Sequence, residues 1–225
     1  MRRWFTLIAL VTLIAGAASG GDIAMFENLG FSESGDVFVF GQYGVTGERS
    51  QPFAEIYAVD IAGNRFLSDG VFELRSDAPL SLGQDGRGAL YRLLGRARSV
   101  LDRERVDHLA TGRPVYILVD GEQPRGRLTF RDFNGDTRYE VRLQQEARGS
   151  GEDVSAAFSI DVTITRADDS VRTMTIGRPS YYRDGVAGYR ITQILVGPDE
   201  DSLVIVVEKR SPDGSIRYMI ETAEL

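Results

Sequence analysis

Apolar and polar residues alternate one for one through most of this chain, and in only one stretch does the period lengthen to that of a helix. Asn28–Asn64 sets the theme. A turn at Ser32-Glu33-Ser34-Gly35 leads into a strand with Phe38 and Phe40 on one face and Val37 and Val39 on the other. A glycine-rich loop follows, then a second strand, Ala54–Asp60, closed by Ala62-Gly63-Asn64. Period-two alternation bounded by Gly, Ser and Asn predicts an antiparallel pair.

Further along, Val71–Arg75 reads as a short strand. Leu90, Leu93, Leu94, Ala97, Val100 and Leu101 then recur at three and four, with Arg92, Arg96 and Arg103 on the other side, which predicts one amphipathic helix over residues 87–105. Asp85 is its expected N-cap, and Gly95 weakens it by about 1 kcal/mol against Ala. Pro114 opens an apolar, β-branched run to Gly121 that reads as a buried strand. Leu128–Leu143 reads as a hairpin around Asn134-Gly135, with Phe130 opposite Tyr139 and Leu128 opposite Val141. A polar stretch, Ala147–Asp153, marks the midpoint. Beyond it every segment alternates as strand: Phe158–Thr165, the return through Met174 and Ile176, Tyr189–Val196, Leu203–Val207 and Ile216–Ile220.

The pattern gives a mainly β, antiparallel domain with one inserted helix. Its architecture is a sandwich or a set of propeller-like blades. The sandwich is favoured, because the helix takes up the chain that one blade would need. The segment Phe31–Gly35 followed by Glu55-Ile56-Tyr57-Ala58-Val59-Asp60 resembles a blade repeat of TolB-type β-propellers. Asn28–Gly44, Thr111–Gly121 and the carboxy-terminal run from Tyr189 to Leu225 together resemble a family of secreted bacterial proteins of unknown function. That second resemblance implies export and a single family domain, and it carries over no site residue.

The amino terminus changes the picture of where the protein works. Arg2 and Arg3 precede an apolar run from Trp4 to Ala15, too short for a bilayer that needs roughly 20 residues, and small residues follow at Ala15–Gly20. Residues 1–20 are therefore expected to be a signal peptide. Residues 21–225 are expected to form one secreted or periplasmic domain, with two packed halves, 21–146 and 154–225, as a variant of that reading. No later stretch is apolar enough to span a membrane. The formal charge is −7, and losing Arg2 and Arg3 with the signal peptide takes it to −9. So acidic a chain is repelled by nucleic acid. There is no cysteine, and Lys209 is the only lysine among 26 basic residues.

Candidate chemistry is narrowed chiefly by what is missing. His108, the single histidine, cannot make a two-histidine metal site, and its place after the helix beside Asp107 gives it a structural role. No Gly-Lys-Ser/Thr phosphate loop is present, since Arg210 follows Lys209. Gly83, Gly86 and Gly88 read as a loop before the helix and not as an anion nest. Asp132, Asn134, Asp136 and Glu140 have the spacing of a calcium loop and resemble the "DFNGDG" run of FG-GAP repeats. A tight turn at Asn134-Gly135 splays those side chains apart, so no cofactor is expected and calcium is the alternative. Two loops, Gly41–Pro52 and Pro179–Gly188, bring Tyr43, Tyr181, Tyr182 and Arg183 forward as a binding surface, because aromatic residues and arginine dominate interfaces. The sequence thus reads as an exported, non-catalytic binding or envelope-associated protein, its partner an envelope protein or a glycan. The alternative is a hydrolase working through carboxylates on glycan or ester.

Overall fold

A computed structural model describes residues 21–225 apart from Glu48 and Asp120. The signal-peptide reading falls on residues 1–20, outside the described residues. The strands are β1 (Ile23–Ser32), β2 (Val37–Val45), β3 (Pro52–Asp60), β4 (Arg65–Arg75), β5 (Val106–Asp107), β6 (Arg113–Ile117), β7 (Arg127–Asp132), β8 (Thr137–Arg148), β9 (Ser155–Thr165), β10 (Val171–Asp184), β11 (Gly188–Val196), β12 (Ser202–Arg210) and β13 (Ile216–Glu224). Helix α1 (Arg87–Arg103) lies between β4 and β5. The chain is mainly β and antiparallel, with one α-helix among the described residues.

One sheet runs β4-β3-β2-β1-β13-β12-β11-β6 and a second runs β10-β9-β8-β7. The larger sheet is two antiparallel blocks joined by a thread. β1 and β13 are parallel and share the single register pair Ile23 and Ile216, and further along β1 pairs with β5 instead. Past that bridge the blocks part and pack face to face. Four layers result: α1, the β1–β4 meander, the β13-β12-β11-β6 block, and the second sheet.

Each interface between layers has its own core, and strand alternation supplies it. Val37, Val39, Ala54, Ile56 and Ala58 turn towards Leu90, Leu93, Ala97 and Leu101 of α1. Phe38, Phe40 and Val59 turn the other way, onto Val204, Val206, Leu195 and Ile220. Leu203, Ile205 and Val207 face Val141, Phe158, Ile160, Val162 and Ile164 of the second sheet. β2 and β12 are therefore buried on both faces. Each such Phe or Ile contributes about 1.5–3 kcal/mol by leaving water.

The hairpin register is as expected, Leu128 opposite Val141 and Phe130 opposite Tyr139. Its loop is not the expected two-residue turn. The ladder ends at Asp132 and Thr137, and Asp136, not Asn134 or Gly135, carries the positive φ. The Asn134 N–H donates to Asp132 Oδ1 at 3.0 Å, a local turn that competes with the tight type I′ geometry. Three other expectations are corrected. The run after Pro114 is a half-exposed edge strand, with Ile117 largely exposed, because β6 pairs only with β11. The helix is capped at Gly86, not Asp85, although Asp85 Oδ1 accepts the Arg87 N–H at 2.6 Å. A Cβ at Gly86 would meet Gly44 O at 2.7 Å, so glycine lets the helix start touch β2. Ala147–Asp153, read as a polar stretch between strands, is the end of the β8–β9 hairpin, paired through Arg148 and Ser155.

Candidate functional site

The parted blocks leave one edge of β13 without a strand partner, and side chains cap it instead. Gln42 reaches across from β2. Its Oε1 accepts the Tyr218 N–H at 2.7 Å and its Nε2 donates to Glu55 Oε2 at 2.7 Å. Asn64 caps the edge further on. It sits in the left-handed region at φ 45°, which Asn tolerates, in a turn where Asp60 accepts the Gly63 N–H at 3.1 Å and pairs with Arg65 at 3.0 Å. So placed, Asn64 Oδ1 accepts the Thr222 N–H at 2.9 Å, and its Nδ2 donates to Glu221 Oε2 at 2.5 Å. Covering an open strand edge in this way also protects it from pairing with another chain.

The opposite wall comes from β10. Arg178 lies opposite Phe158 and Arg183 opposite Ala156, so residues 179–182 bulge from the ladder over Ala157 alone. Pro179 has no N–H to give, and Gly177 before it has φ 92°, a conformation glycine adopts without strain. The bulge aims Arg178 and Arg183 towards β13.

Between these walls lies a cleft of about 740 Å³, lined on one side by Phe40, Tyr57 and Phe66 and on the other by Arg178, Arg183 and Lys209. The aromatic side is a continuous stack. The ring centroids of Phe40 and Tyr57 are 5.0 Å apart, and those of Tyr57 and Phe66 4.9 Å. Phe66, at 47 % exposure, presents its ring to solvent at the mouth. The Tyr57 hydroxyl donates to Glu55 Oε2 at 2.9 Å. Burial first, and then the Glu55 carboxylate, raise its pKa far above the usual tyrosine range.

The cationic side is out of balance. Arg65 has Asp60, and Arg217 has Asp22 at 3.1 Å. Among the described residues, Arg178, Arg183 and Lys209 form no salt bridge, and the nearby acids Glu55 and Glu221 act on them only from a distance. Arg183 stacks over Tyr181 at 4.9 Å, and its Nη1 is buried with no hydrogen-bond partner. Lys209 stands directly across the β12–β13 ladder from Arg217. Like charges so placed repel. Burial, then Arg183 and Arg217, hold its ammonium below the usual lysine range. Glu221, 5 % exposed, is raised by burial, which outweighs the opposing pull of Asn64, Arg183 and Arg178. The site can therefore offer positive charge and hydrogen-bond donors to an anion, and carboxylates and a carboxamide to hydroxyl groups.

Residues 39–224 match the family model described as Predicted secreted protein (DUF2259). The chain belongs to this family. The match spans nearly all of both sheets, so the cleft lies wholly inside the family region, and the family's description agrees with the secretion read from the amino terminus. No curated protein matches the chain in sequence. No helix of the described residues is long and apolar enough to cross a membrane.

The residues singled out from sequence scatter. Arg183 lines the cleft and Tyr181 packs on it. Tyr182 turns away, its ring under Arg148 at 3.8 Å. Tyr43, expected in an exposed loop, is a correction: it lies in β2, buried against α1, and its hydroxyl accepts from Arg87 Nε at 2.8 Å. Asp132, Asp136 and Glu140 each face an arginine of their own, namely Arg113, Arg131 and Arg127, and Asn134 serves the turn. His108 is structural, but not through the helix end. It lies beyond β5 and its Nδ1–H donates to Leu29 O at 2.6 Å. Lys209, Arg178, Glu221, Asn64 and Phe66 were not read as site residues. One signal was available for Lys209, a lone lysine in a chain that otherwise uses arginine.

Proposed function

We propose that this exported protein is a non-catalytic binding protein and that its ligand, carrying negative charge, sits in the cleft between β3, β13 and the β10 bulge. The observation that carries this reading is a half-buried Lys209 beside Arg183, neither held in a salt bridge in a chain of net charge −7. Burying unpaired charge costs stability, and a fold with so many acids to spare had pairing available. Sites that keep such groups unpaired are where ligands complete them. Thermal melts with citrate and with inorganic phosphate test it. An anion that binds only the folded chain must raise Tm, less so at high salt, and not in Arg183→Gln with Lys209→Gln. If neither these nor carboxylated oligosaccharides shift Tm, the reading fails.

A second reading, a carboxylate hydrolase, is favoured by one observation. Glu221 is raised by burial while Glu55, in the same cleft, is hydrogen-bonded by Gln42 and Tyr57. Two carboxyl groups in unlike environments are the usual acid and base of glycoside hydrolysis. New reducing ends released from a bound glycan, and lost in Glu221→Gln without loss of binding, would select it.

A further inference from the structure

We infer that the ligand's negative charge is carried on a short acidic oligosaccharide, a run of sugars bearing carboxylates. The inference rests on the anion-binding reading of the cleft and narrows it to a chemical class.

The carboxylates in the site decide against a small bare anion. Glu55 and Glu221 face the same space as the three unpaired cations. A ligand that is negative all over would be repelled by them. One that also carries hydroxyl groups would donate hydrogen bonds to them. Glu55 Oε2 and Glu221 Oε2 are already taken by Tyr57 with Gln42 and by Asn64. Their second oxygens, Glu55 Oε1 and Glu221 Oε1, accept no hydrogen bond among the described residues. Sugar hydroxyls fit this role, because each can give one hydrogen and accept another.

The aromatic wall decides against a purely polar ligand. Phe66 offers a flat, half-exposed ring held from behind by Tyr57. The apolar C–H face of a pyranose ring packs on such a surface, while its equatorial hydroxyls point sideways to polar groups. An alkyl chain would also cover Phe66. It would cover the free Oε1 atoms of Glu55 and Glu221 without giving either a hydrogen bond, at a cost for each. Size agrees: at about 740 Å³ the cleft exceeds what one small anion fills and lies in the range of ordinary ligand sites. The three cations come from two strands, Arg178 and Arg183 from β10 and Lys209 from β12, so a ligand with more than one carboxylate has more than one cation to meet.

The test compares four probes on the folded chain by calorimetric titration. They are oligogalacturonate, the same oligosaccharide with its carboxyl groups reduced to alcohols, citrate and inorganic phosphate. The expectation is saturable binding of oligogalacturonate, tighter than citrate or phosphate, and loss of binding with the reduced sugar. Phe66→Ala should weaken oligogalacturonate roughly tenfold and leave citrate unchanged, while Phe66→Tyr restores the sugar affinity. Because Phe66 is half-exposed at the cleft mouth, both variants should keep close to the parent melting curve, which is measured alongside. If citrate or phosphate binds as tightly as the oligosaccharide, or Phe66→Ala changes nothing, the sugar inference falls and anion binding stands. If the reduced sugar binds equally well, or if no probe binds, anion binding falls too and takes this inference with it.

Discussion

The tip of the β7–β8 hairpin and the cleft beside β13 are built from the same residue types, and they differ in how charge is balanced. At the tip every acid has its base. Arg113 holds Asp132 at 2.5 Å and Glu200 at 2.9 Å, Arg131 holds Asp136, and Arg127 holds Glu140 at 2.8 Å. In the cleft, Arg178, Arg183 and Lys209 line the space together with Glu55 and Glu221 and none of the three forms a salt bridge, while Arg178 and Arg183 stack on Tyr181 of the bulge. The tip looks like a binding loop in sequence, yet it is a closed electrostatic unit. The cleft has no local signature, yet it is where charge is left over. A paired group reports on folding. An unpaired group kept at a cost points to something that completes it.

The contrast breaks most sharply where pairing is most complete. Glu208 is fully buried, accepting from Arg190 and Arg210, each at 2.5 Å. Glu208→Gln removes the charge that both arginines need. Breaking a buried pair by removing one partner costs about 3–5 kcal/mol, and the exposure of Arg210 places the expected loss at the lower end. Urea unfolding measures it. A loss below about 0.5 kcal/mol, the size of an ordinary surface change, would mean that pairing does not mark structural charge in this fold.

Asp132→Asn comes next. Burial pushes the Asp132 pKa up, but Arg113 and the Asn134 N–H outweigh it, and the carboxyl sits below its ordinary range. A depressed carboxylate contributes stability above its unfolded pKa and loses it as pH falls through the folded one. The variant should be about 1–3 kcal/mol less stable than the parent at pH 7. The gap should close below about pH 4. A gap that stays constant in acid would show that packing, not the ion pair, sets the cost.

Why the fold was legible and the site was not follows from what each depends on. Period-two alternation is local, so Phe38 and Val39 announce opposite faces, and Leu90 through Leu101 announce a helix. Phe130 against Tyr139 could be set by counting outward from Asn134-Gly135. The same counting missed the four-residue loop, because the Asp132 side chain bonds its own backbone. The cleft joins Asn64, Arg183, Lys209 and Glu221 from four segments, and their meeting depends on the parting of β1 from β13 after one residue pair. No spacing along the chain encodes that. Tyr43 misled because glycines around it suggested a loop, whereas Gly44 lies where a Cβ would strike Ile23 O at 2.4 Å, inside a packed sheet.

On the cleft side, removing charge should help folding. Lys209→Met keeps a long side chain and ends the repulsion with Arg217. Its Tm at pH 7 should rise by roughly 2–4 °C, the equivalent of about 1 kcal/mol at this size, while anion binding is lost. Such an exchange of function for stability is common at sites. The sign with pH follows from the lowered lysine pKa: the penalty is present below the folded value and disappears as pH rises through it towards the unfolded one. The advantage of Lys209→Met should therefore shrink in alkali. A Tm that drops instead would make Lys209 a structural residue and remove the contrast.

The smallest effect expected is none, and it sharpens the other side. Asp132, Asn134, Asp136 and Glu140 have calcium-loop spacing, so millimolar calcium is the fair challenge to the view that the tip is electrostatically closed. To bind, calcium would have to displace Arg113, Arg131 and Arg127 from their carboxylates and turn Asp132 out of a site where it is 8 % exposed. It would also have to draw together side chains that now point to separate arginines, at a loss that the ion's six to eight oxygen ligands would need to offset. We expect no change in Tm between calcium and chelator, in the parent or in Asp136→Asn. A calcium-dependent rise in Tm that disappears in Asp136→Asn would show that the hairpin tip opens for a metal, since a ligand selective for the folded state must stabilise it. The tip would then be a second site, its arginines acting as counterions that the metal replaces.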